Sequence, residues 1–502
     1  MSNNKFNDVS SQIDFIELEH EILKFWEKEK IFDQLRSKNE GNKTWSFLDG
    51  PITANNPMGV HHAWGRTLKD VFQRYYAMNG YELRYQNGFD CQGLWVEVEV
   101  EKELGFKSKR DIIDFGIEKF VQLCKDRVEK YSKIQTNQSI RLGYWMDWEN
   151  SYYTMSDENN YTIWSFLKKL FDSGKIYKGT DVVPWSGRSG TSYSQMEIIE
   201  GRKLVAHKAV FIKFPLKNRE NENLLIWTTT PWTLPSNLAI CVGDDIEYVL
   251  VTDPDSGRDF YIAADRASTY GVYEEKARLP GRALVGRKYE PLFPYFADQV
   301  GQGAFVVVAD DYVTTESGTG MVHQAPAFGE DDYRILREHG IEAFACPVTV
   351  HGEFTEEVDD FAGQHVKNAD KDIILYLKDR GALFRQETIQ HSYPYCYRSD
   401  TPLIYRAIPS WYVNVTSIRD KLINANEQIR WVPSHIKSGR FGNWLEGAQD
   451  WAISRNRVWG TPLPVWINDT TGNAVCMGSI EDLKDHTGVT VEDLHRENVD
   501  SL

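Results

Sequence analysis

The chain has 502 residues, of which 41% are apolar, and its 73 acidic against 57 basic residues give a formal net charge of −16. This length supports two or three cored domains, and the acidic balance excludes a protein held to nucleic acid by its overall charge, so RNA contacts must use local basic patches. The six cysteines are scattered, so we expect no disulfide framework. No apolar run approaches the roughly 18 residues of a membrane span, so we expect no membrane partner. The N-terminus is polar, so we expect no targeting peptide and a cytoplasmic protein.

The first predicted elements are two helices with a strand and a loop between them. Residues 13–36 carry apolar side chains at helical spacing and are interpreted as an amphipathic packing helix. Residues 44–49 (TWSFLD) indicate a short buried strand, and the next segment, GPITANNPMG, is rich in Gly, Pro and Asn and must be a loop. Residues 63–78 turn helical before Gly80, a typical helix stop. Strand, loop and helix in this order are typical of the start of a nucleotide-binding α/β unit.

The predicted secondary structure changes twice along the rest of the chain. Residues 96–105 (VEVEVEKELG) alternate as a strand does, yet their Glu and Lys content permits a helix, and the pattern leaves both open. From about residue 203 to 385, short β-rich runs between turn residues predict a separate β-rich domain. After about residue 390 the chain becomes mixed again.

Two adjacent histidines, His61 and His62, stand where the Gly-rich loop meets its helix. Free backbone N–H groups at a helix N-terminus favour a phosphate, and imidazoles beside them can donate to phosphate oxygens and stabilise developing charge. The other interpretation is that both histidines cap or pack the helix. Chemistry alone leaves the two interpretations open.

The segment DGPITANNPMGVHHAWGR (49–66) resembles the signature of class I aminoacyl-tRNA synthetases, whose core reads HIGH. Here the core is Gly59-Val60-His61-His62, so the first and third residues are exchanged. In the family, the third-position Gly lets adenine approach the backbone, and a histidine there collides unless it turns away. We therefore hypothesise that the imidazole of His61 folds back towards Gly59 and replaces the lost histidine. The resemblance implies catalytic roles for Gly59, His61 and His62 in an ATP site, with Mg²⁺ accompanying ATP.

The next segment, NGFDCQGLWVEVEVEKELG (87–105), is similar to the family's GWDCHGLPIE stretch. Asp90 matches the acidic residue that faces the ammonium group of the amino acid, since a buried cation needs a hydrogen-bonded anion. A turn or cap role for Asp90 is the alternative. The resemblance also implies that Pro51 and Gln92 bind the amino acid, and that residues 96–105 are a helix.

Two segments of the β-rich region, LLIWTTTPWTLPSNLAI (224–240) and GTGMVHQAPAFGEDDYR (318–334), resemble the editing domain of isoleucyl-, valyl- and leucyl-tRNA synthetases. The TTTPWTLPxN form is that of the isoleucyl branch, whereas the other two branches carry TTRPxT. Without the resemblance, a Thr run more simply ends a strand with its hydroxyls in solvent. The resemblance implies that Asp332 holds the α-amino group of mischarged valine. The residues it places around the pocket are Thr228, Thr229, Thr230, Asn237 and His323.

Many members of this family flank the insertion with two cysteine pairs that hold zinc. Here Ser186 and Ser189 stand at the first pair, while Cys396 keeps one thiol of the second pair and Ser399 replaces the other. A single thiolate cannot hold zinc tightly. We therefore predict no structural metal here, and we interpret Cys396 as a small buried thiol.

Two later segments, SWYVNV (410–415) and WAISRNRVWGTPLPVW (451–466), match family segments that lead back into the catalytic domain. In the family, a further amino-acid-pocket segment and the KMSKS loop follow, and this sequence contains neither. Charge stabilisation in adenylate formation needs several groups held together. We therefore expect the 502 residues to be part of a longer enzyme and, alone, to be inactive in adenylate formation.

The resemblance implies an α/β fold in which a Rossmann-like class I catalytic domain is interrupted by a β-rich, barrel-like editing domain. The implied domains are residues 1–202 with the first catalytic half, 203–385 with the editing domain, and 386–502 with the return segment. The implied activity is that of an isoleucine–tRNA ligase that uses ATP, isoleucine and tRNA(Ile) and hydrolyses Val-tRNA(Ile). The alternatives are a stand-alone aminoacyl-tRNA deacylase and an inactive, truncated tRNA-binding relative.

Overall fold

The computed structural model describes residues 12–47, 50–107, 109–188, 190–193, 198–199, 201–254, 256–271, 274–396 and 400–502. The chain forms two compact units, one from the residues up to Gly174 together with Arg457–Leu502, and one from Lys175–Asn456. The predicted boundaries at residues 203 and 385 fall inside the second unit and stay predictions. Within the described ranges, no helix is long and apolar enough to cross a membrane.

The described elements are numbered in chain order. The helices are α1 (Phe15–Lys28), α2 (Ile31–Asn39), α3 (Val60–Met78), α4 (Leu94–Leu104), α5 (Lys109–Phe115), α6 (Ile117–Arg141), α7 (Asp157–Asp172), α8 (Ala264–Tyr270), α9 (Glu330–Glu338), α10 (Val366–Asp379), α11 (Arg419–Glu427), α12 (Arg440–Glu446), α13 (Ile480–Thr487) and α14 (Arg496–Val499). The strands are β1 (Thr44–Trp45), β2 (Ile52–Thr53), β3 (Glu82–Leu83), β4 (Gln86–Asp90), β5 (Asp147–Tyr153), β6 (Ile176–Ser186), β7 (Thr191–Ser192), β8 (Arg202–Pro215), β9 (Glu222–Thr228), β10 (Ala239–Val242), β11 (Glu247–Thr252), β12 (Asp259–Ala263), β13 (Glu275–Pro280), β14 (Val306–Ala309), β15 (Met321–Gln324), β16 (Leu383–Pro394), β17 (Ile404–Val413), β18 (Trp451–Ala452), β19 (Val465–Ile467) and β20 (Ala474–Cys476).

The first unit contains a parallel sheet with helical crossovers. Strands lie in the order β2-β4-β5, helix α3 joins β2 to β4, and helices α4 to α6 lie between β4 and β5 in the chain. Parallel neighbours require such crossovers, which make this a βαβ arrangement of the nucleotide-binding type. The predicted helix is confirmed as α3, and the nucleotide-binding type of unit is confirmed with it. The prediction that residues 50–59 are wholly a loop is wrong, because strand β2 lies within them and β1 pairs with β3 in a separate sheet.

The N-terminal helix prediction is wrong in one respect, because the segment forms two helices. The break lies at Lys30, whose backbone is left-handed with a φ of 50°. Beyond the break, the ring of Phe32 packs edge-on against Tyr85 at 4.8 Å between ring centroids, which gives a packing reason for the change of direction. The predicted strand at 44–49 is confirmed only for Thr44–Trp45, and Leu48 and Asp49 lie outside the described residues. The prediction that this strand is buried is wrong, because Thr44 is exposed and Trp45 is half-buried.

Residues 96–105, which the alternation left open, lie almost wholly in helix α4 (Leu94–Leu104). The buried residues Val96 and Val100 are four apart, so they share a helix face in spite of the alternation. The helix also buries the carboxylate of Glu97, which accepts the backbone N–H groups of Val458 and Trp459. The segment is therefore a helix, as the family resemblance implies.

The second unit is rich in strands, as predicted. Its largest sheet has the order β13-β11-β12-β9-β8-β16, and a three-stranded sheet has the order β14-β10-β15. Strands β10 and β15 are antiparallel, and their register pairs Ile240 with His323. This pairing joins the two sequence segments that resemble the editing domain, although more than 70 residues separate them in the chain.

Candidate functional site

The second unit contains a cavity of about 360 Å³, a volume typical of small-molecule sites. Its wall includes Thr228–Thr230 from the end of β9 and residues 317–323, which lead into β15. Phe328, Gly329 and Asp332 line it from the start of α9, and Trp227, Thr233, Tyr312 and Thr314 also belong to the wall. The two predicted segments therefore share one hollow, whose wall combines aromatic and aliphatic groups with hydroxyls, an imidazole and a carboxylate.

Asp332 is the carboxylate of this cavity. It lies in the first turn of α9, and its Oδ2 accepts the backbone N–H of Ala325 at 2.8 Å. A Cβ at Gly329 would lie only 2.6 Å from the Asp332 carboxyl carbon, so the carboxylate occupies the space that a side chain at position 329 would take. Burial raises the pKa of Asp332 to about 7, and the Ala325 N–H opposes that rise. Such a group gains strongly from a cationic partner.

His323 stands in the same wall and is buried. Its Nε2 lies 3.0 Å from the hydroxyl of Thr233. Its Nδ1 is buried and has no hydrogen-bond partner among the described residues. Burial lowers the pKa of His323 to about 4, so the imidazole is neutral at physiological pH.

The threonines form a hydrogen-bonded row. The hydroxyls of Thr228 and Thr230 lie 3.3 Å apart, and the hydroxyl of Thr233 lies 3.3 Å from that of Thr230. For Thr228 and Thr230, the simpler interpretation of the Thr run, with hydroxyls only in solvent, is therefore wrong. Thr233 was not predicted as a site residue. Its place in the same motif, three residues after Thr230, was a signal that could have identified it.

Asn237 does not line the cavity, which contradicts its predicted place in the pocket wall. Its amide Nδ2 donates to the carbonyl of Ala239, and its Oδ1 accepts the hydroxyl of Tyr289 at 2.6 Å. Both ends of the amide are thus satisfied inside the protein. Asn237 fixes the chain between the Pro231–Ser236 turn and strand β10, instead of facing a ligand.

The altered signature in the first unit lies at the start of α3. His62 Nδ1 accepts the backbone N–H of Gly59 at 3.1 Å, which leaves Nε2 as the ring nitrogen that carries the proton. A Cβ at Gly59 would lie 2.9 Å from Cε1 of His61, so the His61 ring occupies the place of the missing side chain. The fold-back that we hypothesised is therefore present. Burial, His61 and Arg66 lower the pKa of His62.

The three predicted amino-acid-binding residues lie in separate settings. Asp90, at the carboxyl end of β4, accepts the Thr53 hydroxyl at 2.8 Å. Gln92 lies 2.9 Å from His495 through its Nε2 and accepts the Thr461 hydroxyl. Pro51 lines a different hollow of about 190 Å³. Carboxyl ends of parallel strands are the usual ligand position in such folds, which favours Asp90.

The segment around His495 was not predicted as functional. His495 hydrogen bonds Asp493, and Asp493, His495 and Glu497 are close enough to one another to hold a metal ion. Lys125 already pairs with Asp493, and its ammonium lies 3.8 Å from Glu497. A lysine ammonium in this position supplies the positive charge that a metal ion would bring.

The predicted absence of a zinc site concerns four positions. Cys396 is buried, as expected, and its Sγ lies 3.0 Å from the Tyr193 hydroxyl. Ser186 is buried at the end of β6. Ser189 and Ser399 lie outside the described residues. The absence of zinc stays a prediction.

The chain is similar to a protein family, to curated relatives and to solved structures. Residues 21–502 match the family described as tRNA synthetases class I (I, L, M and V). An isoleucine–tRNA ligase of Bdellovibrio bacteriovorus is 47% identical over 99% of this chain and 47% of its own length, and the cytoplasmic isoleucine–tRNA ligase of Mus musculus is 43% identical over 98% and 40%. Among solved structures, Agrobacterium radiobacter LeuRS in its ternary complex with tRNA and LeuAMS is 15% identical, with a TM-score of 0.37 over 93% of this chain and 52% of that one.

The extent of these matches differs between the chain and its relatives. The chain spans about half the length of the curated relatives it matches. The family match, by contrast, covers nearly the whole of this chain. The chain therefore belongs to the class I tRNA synthetases of the I, L, M and V group.

Proposed function

We propose that the chain is part of an isoleucine–tRNA ligase that also hydrolyses valine wrongly attached to tRNA(Ile). The observation that carries the proposal is the cavity of the second unit, whose wall brings Asp332, His323 and the threonine row together. A ligase needs such a second site because one methylene in an apolar pocket is worth only about 1–3 kcal/mol, a figure for which isoleucine against valine in this enzyme class is itself the standard example.

The proposed hydrolysis starts with binding of the amino acid ester. The α-ammonium group of the ester pairs with Asp332, whose carboxylate gains a cationic partner in a poorly solvated place. The isopropyl side chain lies among the Thr228–Thr230 methyl groups and Trp227, which also lines the cavity. A water molecule attacks the ester carbonyl, and the terminal ribose hydroxyl of the tRNA leaves.

The proposed adenylate-forming site lies in the first unit. The N-terminus of α3 and the imidazoles of His61 and His62 receive the phosphates of ATP, and Asp90 pairs with the ammonium group of isoleucine. Mg²⁺ enters with ATP as an ion bound mainly through the phosphates, the usual manner for this ion. The position of the His61 ring, in the space that a side chain at Gly59 would take, supports the proposed role of His61 in binding the phosphates.

Deacylation of Val-tRNA(Ile) by the full chain tests the proposal. Loss of one partner of a buried charge pair costs roughly 2–5 kcal/mol, so we expect Asp332→Ala to lower kcat/KM about 30-fold or more. Asp331→Ala is the matched control, because Asp331 is the adjacent carboxylate, is exposed and pairs with Arg334 outside the cavity wall. Equal deacylation rates for the Asp332 variant and the unchanged chain would contradict the assignment of Asp332 to the ammonium group of the ester.

A parallel assay of ATP–pyrophosphate exchange separates the parts of the proposal. We expect the chain alone to deacylate without exchange, because adenylate formation needs groups from the longer enzyme. Deacylation together with exchange by the longer enzyme would support the full ligase with editing, whereas a longer enzyme that deacylates without exchange would be a deacylase.

A further inference from the structure

Three basic side chains of the second unit surround the ring of Tyr393, outside the cavity described above. The ammonium group of Lys367 lies 4.4 Å from the centroid of that ring, and the ring centroids of His207 and His391 lie 4.9 and 5.8 Å from it. Lys367 belongs to the first turn of α10, whereas the two histidines come from the paired strands β8 and β16. All three side chains are partly exposed, and none belongs to the cavity wall.

Lys367 stands in an unfavourable place for a cation. The first turn of a helix carries partial positive charge, and this turn contains no acidic residue to balance the ammonium group. Within the part of the chain that the structure describes, no carboxylate forms an ion pair with Lys367. Burial lowers the pKa of Lys367 to about 8, and the attraction of Asp370, which accepts the backbone N–H of Trp232, opposes only part of that fall. An anion beside Lys367 would therefore stabilise its charge.

The two histidines supply one further hydrogen-bond donor. His391 Nε2 lies 2.9 Å from His207 Nδ1, so one neutral ring donates its proton there and the other accepts it. The ring that accepts carries its own proton on its outer nitrogen, and no described residue accepts that proton. Burial and, after it, the charge of Lys367 lower the pKa of both rings. Because Lys367 repels a charge on either ring, the three groups are close enough to bind one anion together.

The position of this cluster beside the cavity indicates which anion it would meet. The ammonium group of Lys367 lies 5.9 Å from the centroid of the Trp232 ring. That buried ring packs at 4.9 Å against Phe328, which lines the cavity. In an aminoacyl-tRNA, the ribose that carries the ester is joined through its 5′ oxygen to a phosphodiester. A phosphate therefore lies one ribose away from any ester in the cavity, and Lys and imidazole N–H groups are suitable donors for it.

We propose that Lys367, His207 and His391 bind the phosphodiester that precedes the terminal adenosine of the tRNA, while the valyl ester of that adenosine occupies the cavity. This inference rests on the proposed editing function. Phosphate contacts position a nucleic acid without reading its sequence. The cluster thus holds the 3′ end of the tRNA in place and takes no part in the bond changes.

A structural role for Lys367 is the competing account, because the cation–π contact with Tyr393 also stabilises the fold. The two accounts differ in the substrates that they affect. Loss of a packing contact should impair the hydrolysis of every ester. Loss of a phosphate contact should impair only the esters that contain the phosphate.

The test compares two substrates of the full chain, the 3′-valyl ester of adenosine and the 3′-valyl ester of adenosine 5′-methylphosphate. The second differs from the first only by a phosphodiester, and we expect its kcat/KM to be about tenfold higher. Lys367→Met should abolish that advantage and change kcat/KM for the adenosine ester less than about twofold, whereas Lys367→Arg keeps the charge and should retain most of the advantage. Lys378→Met, at an exposed lysine about three turns further along α10, is the matched control. Equal losses on both esters, or no loss on either, overturn the proposal.

The two histidines are tested in the same way. The double variant His207→Phe with His391→Phe keeps two aromatic rings and removes their donors. We expect the advantage of the methylphosphate ester to fall about threefold. An unchanged advantage contradicts their part in the site.

Val-tRNA(Ile) itself gives a readout that a structural role would not move. Lys367→Met should raise KM more than it lowers kcat, and it should reduce the slope of log KM against log salt concentration by about 0.7, the value for one phosphate of a single strand. An unchanged slope contradicts the phosphate contact. If the unchanged chain hydrolyses no Val-tRNA(Ile), the proposed function falls and this site with it. If it hydrolyses Val-tRNA(Ile) but treats the two small esters alike, this inference alone falls.

Discussion

Burial of the Asp332 carboxylate favours the binding of a cation but lowers the stability of the folded chain. Its carboxylate is held in the cavity wall beside Gly329, and burial raises its pKa to about 7. Below that pH the group is neutral and cannot pair with an ammonium group. Above it, the group is charged and poorly solvated until a substrate arrives, so binding of the ester relieves an unfavourable state.

The pH dependence of deacylation should report this group. Because only the carboxylate pairs with the ester's ammonium group, kcat/KM for Val-tRNA should rise with pH and level off above about 7. His323 should add no step near its ordinary value, since its pKa is lowered to about 4. Initial rates between pH 5 and 8 check this. A profile that is flat across pH 7 would contradict the role of Asp332.

Stability should change in the opposite sense. The folded pKa of Asp332 lies above its ordinary value of 3.8, so the folded state binds the proton more tightly than the unfolded state and loses stability as pH rises from about 4 to about 7. Asp332→Asn removes the buried charge and should raise the free energy of unfolding at pH 8 by about 1–2 kcal/mol, with little effect at pH 4. Denaturant titrations at both pH values measure it. A variant that is less stable at pH 8 would show that the carboxylate stabilises the fold.

The exchanged signature gives a test with a matched control. Gly59→Ala places a Cβ 2.9 Å from the His61 ring, and since that ring is an exposed side chain, it should move without unfolding the helix. We expect a lower rate of ATP–pyrophosphate exchange in the longer enzyme. Gly65→Ala, where no atom lies within 4 Å of the new Cβ, is the control in the same helix. Additive effects of Gly59→Ala and His61→Gly would contradict compensation between the two positions.

Among the elements, the N-terminus of α9 places the carboxylate of the cavity. Gly329 precedes this helix with an extended φ of −140°, which alanine also adopts, so backbone strain plays no part. Gly329→Ala should displace the Asp332 carboxylate, whose carbon lies 2.6 Å from the new Cβ, and lower kcat/KM for deacylation about tenfold or more. Gly301→Ala, where nothing lies within 4 Å, is the control. The circular dichroism spectra of both variants should equal that of the unchanged chain. A fully active Gly329→Ala variant would contradict a role of the Asp332 carboxylate in deacylation.

Some of the helices and strands could be predicted from the sequence and others could not. Helix α3 and the β-rich region followed from local patterns, because helices and strands of these types carry their periodicity in the chain. Strand β2 did not, since its two residues lie in a segment rich in Gly, Pro and Asn. The break at Lys30 did not, since a left-handed lysine has no sequence signal and depends on where Phe32 packs. Asn237 was assigned to the wrong place because the motif gives its position in the chain, whereas its partners Ala239 and Tyr289 are known only from the fold.

In the whole molecule, each compact unit contains one candidate site. The threonine and aspartate segments meet because β10 pairs with β15, a long-range contact that no local pattern contains. Resemblance to a family supplied the link that periodicity could not. The motif contains Thr233, but only the fold shows that its hydroxyl lies 3.0 Å from the imidazole of His323.

The most direct test of the central claim is a crystal structure of the chain with a hydrolysis-resistant 3′-valylamido adenosine. We predict that its α-ammonium group lies within hydrogen-bond distance of the Asp332 carboxylate, with the isopropyl group among Thr228–Thr230. A ligand bound outside this cavity, or bound in it with its ammonium group away from Asp332, would contradict the account.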